Sequence, residues 1–289
     1  MDRRTATLSR PYRRDTVIAL HCSGGSATQW RTLARRLGER YRLHTPAHSI
    51  AADVHRLCAH ESFTLATEAA TTLRLIERTD TPVHLVGHSY GGALALHVAL
   101  RCADRVASVT LFEPGAFHVL PRLGAAGREA ACEIGRLAES IERDIVAGQP
   151  ARAMADFVDY WNGARAWEAM KPEHRRALIG WAPKAVHDFD ALLVEPTPLR
   201  AYERLQVPVR LIQGECSPRP THVVTAALDE RLPSSERVVL PGVGHMGPLT
   251  HADLVAALTV ERIEGRVAGA SHRTGPAHRR SEPRLIAAA

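Results

Sequence analysis

A serine set among glycines, Gly87-His-Ser89-Tyr-Gly91-Gly92, is where residue type and spacing first suggest chemistry in this 289-residue chain. The run fits G-x-S-x-G, a sharp turn from a strand into a helix. Close packing of that strand against that helix leaves room only for glycine at 87 and 91, and the serine takes a strained backbone conformation. The turn projects the hydroxyl from the C-terminal edge of a sheet, and the helix N-terminus offers free N–H groups to a developing anion. A serine so placed is a nucleophile once a neighbouring base takes its proton. Among sixteen histidines, His245 stands out as that base. It lies late in the chain, in Leu240-Pro-Gly-Val-Gly-His245-Met-Gly-Pro, between a strand and the last helix.

The elements that must position these two groups follow from hydrophobic spacing. Thr16 to His21 is a short apolar run bounded by turn formers and reads as a buried strand. Trp30, Leu33, Ala34, Leu37 and Tyr41 recur at helical spacing, which predicts a helix over 28–40. Tyr41 to Thr45 reads as a weak strand, and Thr64 to Arg78 as a helix. Pro82 to Gly87 is the clearest strand, and Gly91 to Arg101 after it is apolar nearly all round, as a buried helix would be. Val106 to Phe112 is another strand. This alternation predicts a parallel sheet with helices on both faces. From Phe117 to Tyr202 only helical periodicities occur. Strand signals return at Val207–Ile212 and Arg237–Leu240, and a last helix runs through Leu254 to Ile263.

On three motifs in order, the chain resembles the α/β-hydrolase family over residues 15 to 264. One is the serine turn, another the His245 loop, and the third His21-Cys-Ser-Gly-Gly25, which is similar to the family's His-Gly oxyanion loop. The resemblance implies an α/β-hydrolase fold, with a mostly parallel central sheet flanked by helices and a helical cap inserted between strands. It implies that the backbone N–H groups of Ser23 and Tyr90 hold the oxyanion. Cys22 departs from the family's usual glycine, so the loop is expected to differ in shape.

The acid that orients His245 is less direct. Many members carry it in a Gly-x-x-Asp turn after the penultimate strand, but this chain reads Gly214-Glu-Cys-Ser217, with Glu215 two residues early. Glu113 is the preferred acid. It ends the strand that follows the serine's helix, at the edge where strand ends converge on Ser89. Haloalkane dehalogenases and certain lipases place their acid there. Dehalogenases need an aspartate nucleophile, whereas position 89 is serine, which points to attack on an acyl carbon.

Two further clusters carry weaker signals. His44, His48, His55, Cys58 and His60 crowd one segment, but their spacing matches no standard zinc site, so no metal and no other cofactor is expected. Phe157, Tyr160, Trp161, Trp167 and Trp181 concentrate aromatic residues in the helical stretch. They suit the wall of an apolar pocket or the stretch's own small core equally well.

Composition narrows the class. Hydrophobic residues make up 45% and charged residues 24%, near globular averages, and no run could span a bilayer. The net charge of +6 is terminal in origin: residues 1–14 and 265–289 each carry a net +4, leaving −2 between them. A nucleic-acid groove is therefore not expected. Five widely spaced cysteines argue against a disulfide framework and for reduced thiols in a cytoplasmic protein. The expected organisation is a basic segment at 1–14, a core at 15–116 and 203–264, a helical cap at 117–202 and a disordered tail at 265–289. The expected function is hydrolysis of a small apolar ester through an acyl-enzyme. Carbon–carbon, lactone or thioester hydrolysis and perhydrolase activity would use the same groups. A non-catalytic ligand-binding relative would also fit, given the altered oxyanion loop and the missing standard acid. Oligomeric state is not legible.

Overall fold

The computed structural model describes residues 14–50, 52, 54, 62–265 and 284–285. Among the described residues, seven strands form one sheet in the order β2-β1-β3-β4-β5-β6-β7, and every pairing is parallel. The strands are β1 Asp15–Leu20, β2 Tyr41–His44, β3 Val83–His88, β4 Val106–Phe112, β5 Val209–Gly214, β6 Ser235–Leu240 and β7 Arg284–Leu285. The last was not expected: within a stretch read as a disordered tail, residues 284 and 285 pair with β6.

Alternation along β1 shows how the layers are built. Val17 and Ala19 point to one side, where they meet Trp30, Leu33 and Leu37 together with Ala256 and Ile263. Those partners come from helix α1 (Arg31–Leu37), the 3-10 turn before it, and the final helix α10 (Ala252–Ile263). Ile18 and Leu20 point to the other side and join the largest apolar cluster. It includes residues of α2 (Leu65–Glu77), α3 (Tyr90–Arg101) and α8 (Arg219–Arg231). Strands covered on both faces need no alternating polar face, which is why Val17–Leu20 of β1 is a continuous apolar run and all of β3 is buried.

Several boundaries follow from local chemistry. The helix expected over 28–40 is α1 flanked by 3-10 turns at Ala27–Trp30 and Gly38–Arg40. Thr64 caps α2 by accepting the N–H of Thr67 on its hydroxyl. Strand β5 starts two residues later than the Val207 expected, because Pro208 lacks the N–H a central strand must donate.

Between β4 and β5 the chain forms no strand. The insert comprises α4 (Gly124–Val146), α5 (Pro150–Asn162), the single turn α6 (Ala166–Ala169) and α7 (Pro172–Leu193), bracketed by 3-10 turns at Phe117–Arg122 and Leu199–Arg204. On α4, Ile134, Leu137 and Ile141 are buried as their spacing requires. A last short turn, α9 (Gly247–Thr250), precedes α10. Among the described residues, no helix is long and apolar enough to cross a membrane.

The sheet order reverses direction at β1. The chain leaves β1 to form β2 on one side and returns to form β3 on the other. Such a switch point opens a crevice at the carboxyl ends of the two strands. The loop after β1 and the turn after β3 meet there.

Candidate active site

Ser89 sits at the joint of β3 and α3 with φ 54° and ψ −117°, a conformation that costs energy for any residue with a side chain. Its surroundings hold it there. Its N–H donates to the Phe112 carbonyl at 3.0 Å, and its own carbonyl accepts from Gly115 at 2.9 Å. A Cβ on Gly87 would lie 2.4 Å from the Gly91 carbonyl oxygen, and one on Gly91 would lie 2.3 Å from that of Leu20. Both glycines are thus required by backbone approach.

The Ser89 hydroxyl lies 3.0 Å from Nε2 of His245, and His245 Nδ1 lies 2.6 Å from Oε2 of Glu113. All three side chains are buried. With Nδ1–H donated to the carboxylate, Nε2 presents its lone pair to the serine. Glu113 is fixed from its other oxygen, which accepts the Gly214 N–H at 2.7 Å. Its backbone has φ 43°, so the strand end turns sharply at the carboxylate. Glu215 goes elsewhere: it is exposed and accepts the N–H of Gly242 at 2.9 Å. Of the two acids read from the sequence, only Glu113 reaches the imidazole.

His88 and Trp161 hold His245 from two sides. His88 Nε2–H donates to the His245 carbonyl at 2.9 Å, and burial depresses its pKa well below the ordinary value, leaving it a neutral prop. Trp161, from the insert, packs on the His245 ring with centroids 4.2 Å apart.

The loop after β1 shows what Cys22 does. Its N–H and its thiol both point to the side-chain oxygen of Gln29, at 3.3 and 3.2 Å, and burial pushes the thiol up to about 12, so it stays protonated. The N–H of Cys22 is thereby engaged. Tyr90 opens α3, and its N–H, at the first helical position, has no intrahelical acceptor. Next to the loop, Gly24 approaches the insert so closely that a Cβ would lie 2.9 Å from Leu178.

A cavity of about 560 Å³ opens over these groups. Phe117, Phe157, Trp161, Leu178 and Trp181 supply apolar wall. Tyr160 and Trp167 do not line it. Tyr160 donates its hydroxyl to Glu133, and Trp167 gives its backbone N–H to Asp159. The five aromatics therefore divide between the two roles open to them in the sequence.

One charged group in this wall gave no signal in the sequence. Asp188 lines the cavity and accepts the Ser23 hydroxyl at 2.7 Å. Burial raises its carboxyl to about 6. Its helix neighbour Lys184 bonds to it and to Glu68 of α2. A Lys and an Asp four apart read as an exposed helix pair, and nothing local marks them as buried. Of the histidine-rich segment, His55, Cys58 and His60 lie outside the described residues. His48 donates Nε2–H to the His21 carbonyl at 2.8 Å.

Comparison with known proteins identifies the family. Residues 17–258 match the model of the alpha/beta hydrolase family. The chain belongs to that family. It is 27% identical over 221 residues to lipase LipV of Mycobacterium tuberculosis, covering 70% of this chain and 76% of the relative. A hydrolase from Oleispira antarctica superposes with a TM-score of 0.64 at 18% identity, covering 87% of this chain and 92% of that one. A thermophilic esterase from Thermogutta terrifontis gives a TM-score of 0.61 at 19% identity, covering 87% and 90%. In this alpha/beta hydrolase the crevice lies at the carboxyl ends of the strands, and Glu113 follows β4, the strand after the helix that Ser89 precedes.

Proposed function

We propose that this chain is a serine hydrolase that cleaves small apolar esters through an acyl-enzyme, with the helical insert as its cap. The observation that carries the reading is the unbroken path from the Ser89 hydroxyl through His245 to Glu113, at 3.0 and 2.6 Å. Such a path serves acyl transfer in two halves. His245 Nε2 takes the Ser89 proton as the oxygen attacks the carbonyl carbon. The N–H groups of Ser23 and Tyr90 receive the negative charge on the carbonyl oxygen. His245 then hands the proton to the departing alcohol, leaving the acyl group on Ser89. Water, deprotonated by the same imidazole, attacks the ester, and the second collapse frees the acid and restores the serine. Glu113 stays ionised throughout and stabilises the imidazolium in each half.

The cavity wall supports this choice of substrate class. Phe157, Trp161 and Trp181 favour an apolar acyl or alcohol part, and a volume near 560 Å³ suits a modest one. Similarity to a lipase and an esterase points the same way. Cys22, Cys102, Cys132 and Cys216 are all unpaired thiols, in keeping with a cytoplasmic setting. The test is hydrolysis of p-nitrophenyl esters from acetate to dodecanoate, with Ser89→Ala as control. Turnover should peak at short to medium acyl chains and vanish in the control. Absence of Ser89-dependent turnover at every length would sink the proposal and favour a ligand-binding role.

A further inference from the structure

Three ionisable side chains that the acyl-transfer steps do not use lie buried together beside the oxyanion loop. Lys184 Nζ donates to Glu68 Oε2 at 3.1 Å and to Asp188 Oδ1, and none of the three side chains is more than 4% exposed. Burying such a group is costly, and apolar packing of the same volume generally stabilises a fold as well or better. Its value is in fixing geometry.

We propose that Glu68, Lys184 and Asp188 act as a positioning unit for the oxyanion hole, tying both of its donor residues to the insert. This rests on the acyl-transfer reading above. The side chains of both proposed donor residues end on this unit. Ser23 gives its hydroxyl to Asp188 Oδ2 at 2.7 Å, and Tyr90 gives its phenol to Glu68 Oε2 at 3.0 Å. One donor residue follows β1 and the other opens α3, segments that β1–β3 pairing and the close approach of Gly91 to Leu20 already bring together. The unit adds a second tie between them, by way of α2 and α7.

The unit is saturated, which suits a rigid brace. Glu68 Oε1 accepts both the N–H and the hydroxyl of Ser49, at 2.8 and 3.0 Å. The Lys184 ammonium also lies over the rings of Phe63 and Tyr90, at 4.4 and 5.0 Å from their centroids. Burial alone would raise the Glu68 carboxyl, but Lys184 and the surrounding donors hold it below its ordinary value. Because Lys184 and Asp188 belong to α7, a correctly seated insert becomes a condition for a correctly spaced hole.

Ser23→Ala and Tyr90→Phe each remove one hydroxyl link and keep the peptide N–H, while Lys184→Met removes the centre of the unit. For each, kcat and KM are measured on p-nitrophenyl butyrate. Inhibition by an alkyl trifluoromethyl ketone is compared with that by an alcohol of equal size. The ketone adds to Ser89 as a hemiketal whose oxyanion needs the hole, whereas the alcohol only fills the cavity. Ser23→Ala and Tyr90→Phe should each lower kcat about tenfold, a fraction of the 10²–10³ that loss of a whole donor costs. Ketone affinity should fall by a similar factor, with KM and alcohol affinity within about threefold of the parent. Adding Ser23→Ala to Lys184→Met should cost little more than Lys184→Met alone. If Lys184→Met does not fold, the two hydroxyl variants decide the matter. The proposal is overturned if both keep parental kcat and ketone affinity, or if KM and alcohol affinity change instead. Turnover that survives Ser89→Ala is a distinguishable result, because it would remove the acyl-transfer reading itself.

Discussion

Replacing Glu113 by glutamine should nearly abolish turnover and leave the fold intact. Glu113 Oε1 accepts the Gly214 N–H at 2.7 Å, and that donor has to keep an oxygen acceptor. The glutamine carbonyl therefore stays on Gly214, which aims the amide NH2 at Nδ1 of His245, now 2.6 Å from a carboxylate oxygen. An NH2 there forces Nδ1 to become the acceptor and moves the ring proton to Nε2. The imidazole then cannot take the Ser89 proton, and no carboxylate remains to stabilise an imidazolium. The same exchange at the acid of another serine triad lowers kcat on the order of 10⁴-fold, which is about 5 kcal/mol of transition-state stabilisation. Steady-state turnover of p-nitrophenyl butyrate gives the rate, and a thermal melt within a few degrees of the parent shows that the site remains folded. Glu215→Gln is the matched control. It keeps an oxygen for Gly242, lies exposed, and should change kcat less than about threefold. If Glu113→Gln retained a tenth of parental activity, or Glu215→Gln lost a thousandfold, the acid would have been misassigned.

Acid should destabilise the fold through buried imidazoles. Burial holds His21, His48, His84, His88 and His118 below their ordinary value, His48 down to about 3 and His118 to about 4. The unfolded chain binds protons on these groups near pH 6.5 while the native state does not, so their stabilisation is present above 6.5 and lost as pH falls toward 4. His118 alone corresponds to about 3 kcal/mol, while the carboxyls of Asp188, raised to about 6 by burial, and Asp190, also raised by burial, oppose the trend. Melting temperature should fall steadily from pH 7 to 4.5, and a flat or rising profile would contradict the burial of these rings as neutral species. Gly91→Ala should cost several kcal/mol, because its Cβ meets backbone oxygens at 2.3 and 2.4 Å that cannot rotate away. A melting point lowered by about 10 °C or more is expected, and an unchanged one would contradict the close approach of α3 to β1. Trp181→Ala should enlarge the cavity and move the preferred acyl chain to a greater length, read from the ester series. An unchanged preference would place the acyl group against another wall.

How much of this was legible depended on how local each determinant is. The serine turn could be read because its glycines answer to atoms within a few residues or in the adjoining strand. Glu113 could be read because Val106–Phe112 is unmistakably a strand and the residue that ends it inherits a position at the sheet's edge. The apolar runs of β1 and β3 and the capped helix after Thr64 likewise carry their own signals. The Glu68, Lys184 and Asp188 cluster could not be read, because Lys184 and Glu68 are 116 residues apart and their contact is decided by how the insert seats. Trp161 was legible as an aromatic but not as the ring that packs on His245, for the same reason. The pairing of residues 284 and 285 with β6 has no local hydrophobic pattern behind it. Cys22 was read as a disturbance of the loop, whereas its bond to Gln29 makes it part of the loop's scaffold.

The most direct test is covalent capture of the nucleophile. A fluorophosphonate incubated with the native protein should add one phosphonyl group, and trypsin digestion with mass spectrometry should place it on Ser89, within the peptide Thr79–Arg101. Ser89→Ala and His245→Ala should take up none at the same concentration and time. An adduct on a different residue, or equal labelling of native and Ser89→Ala protein, would contradict the assignment of this hydroxyl as the activated group.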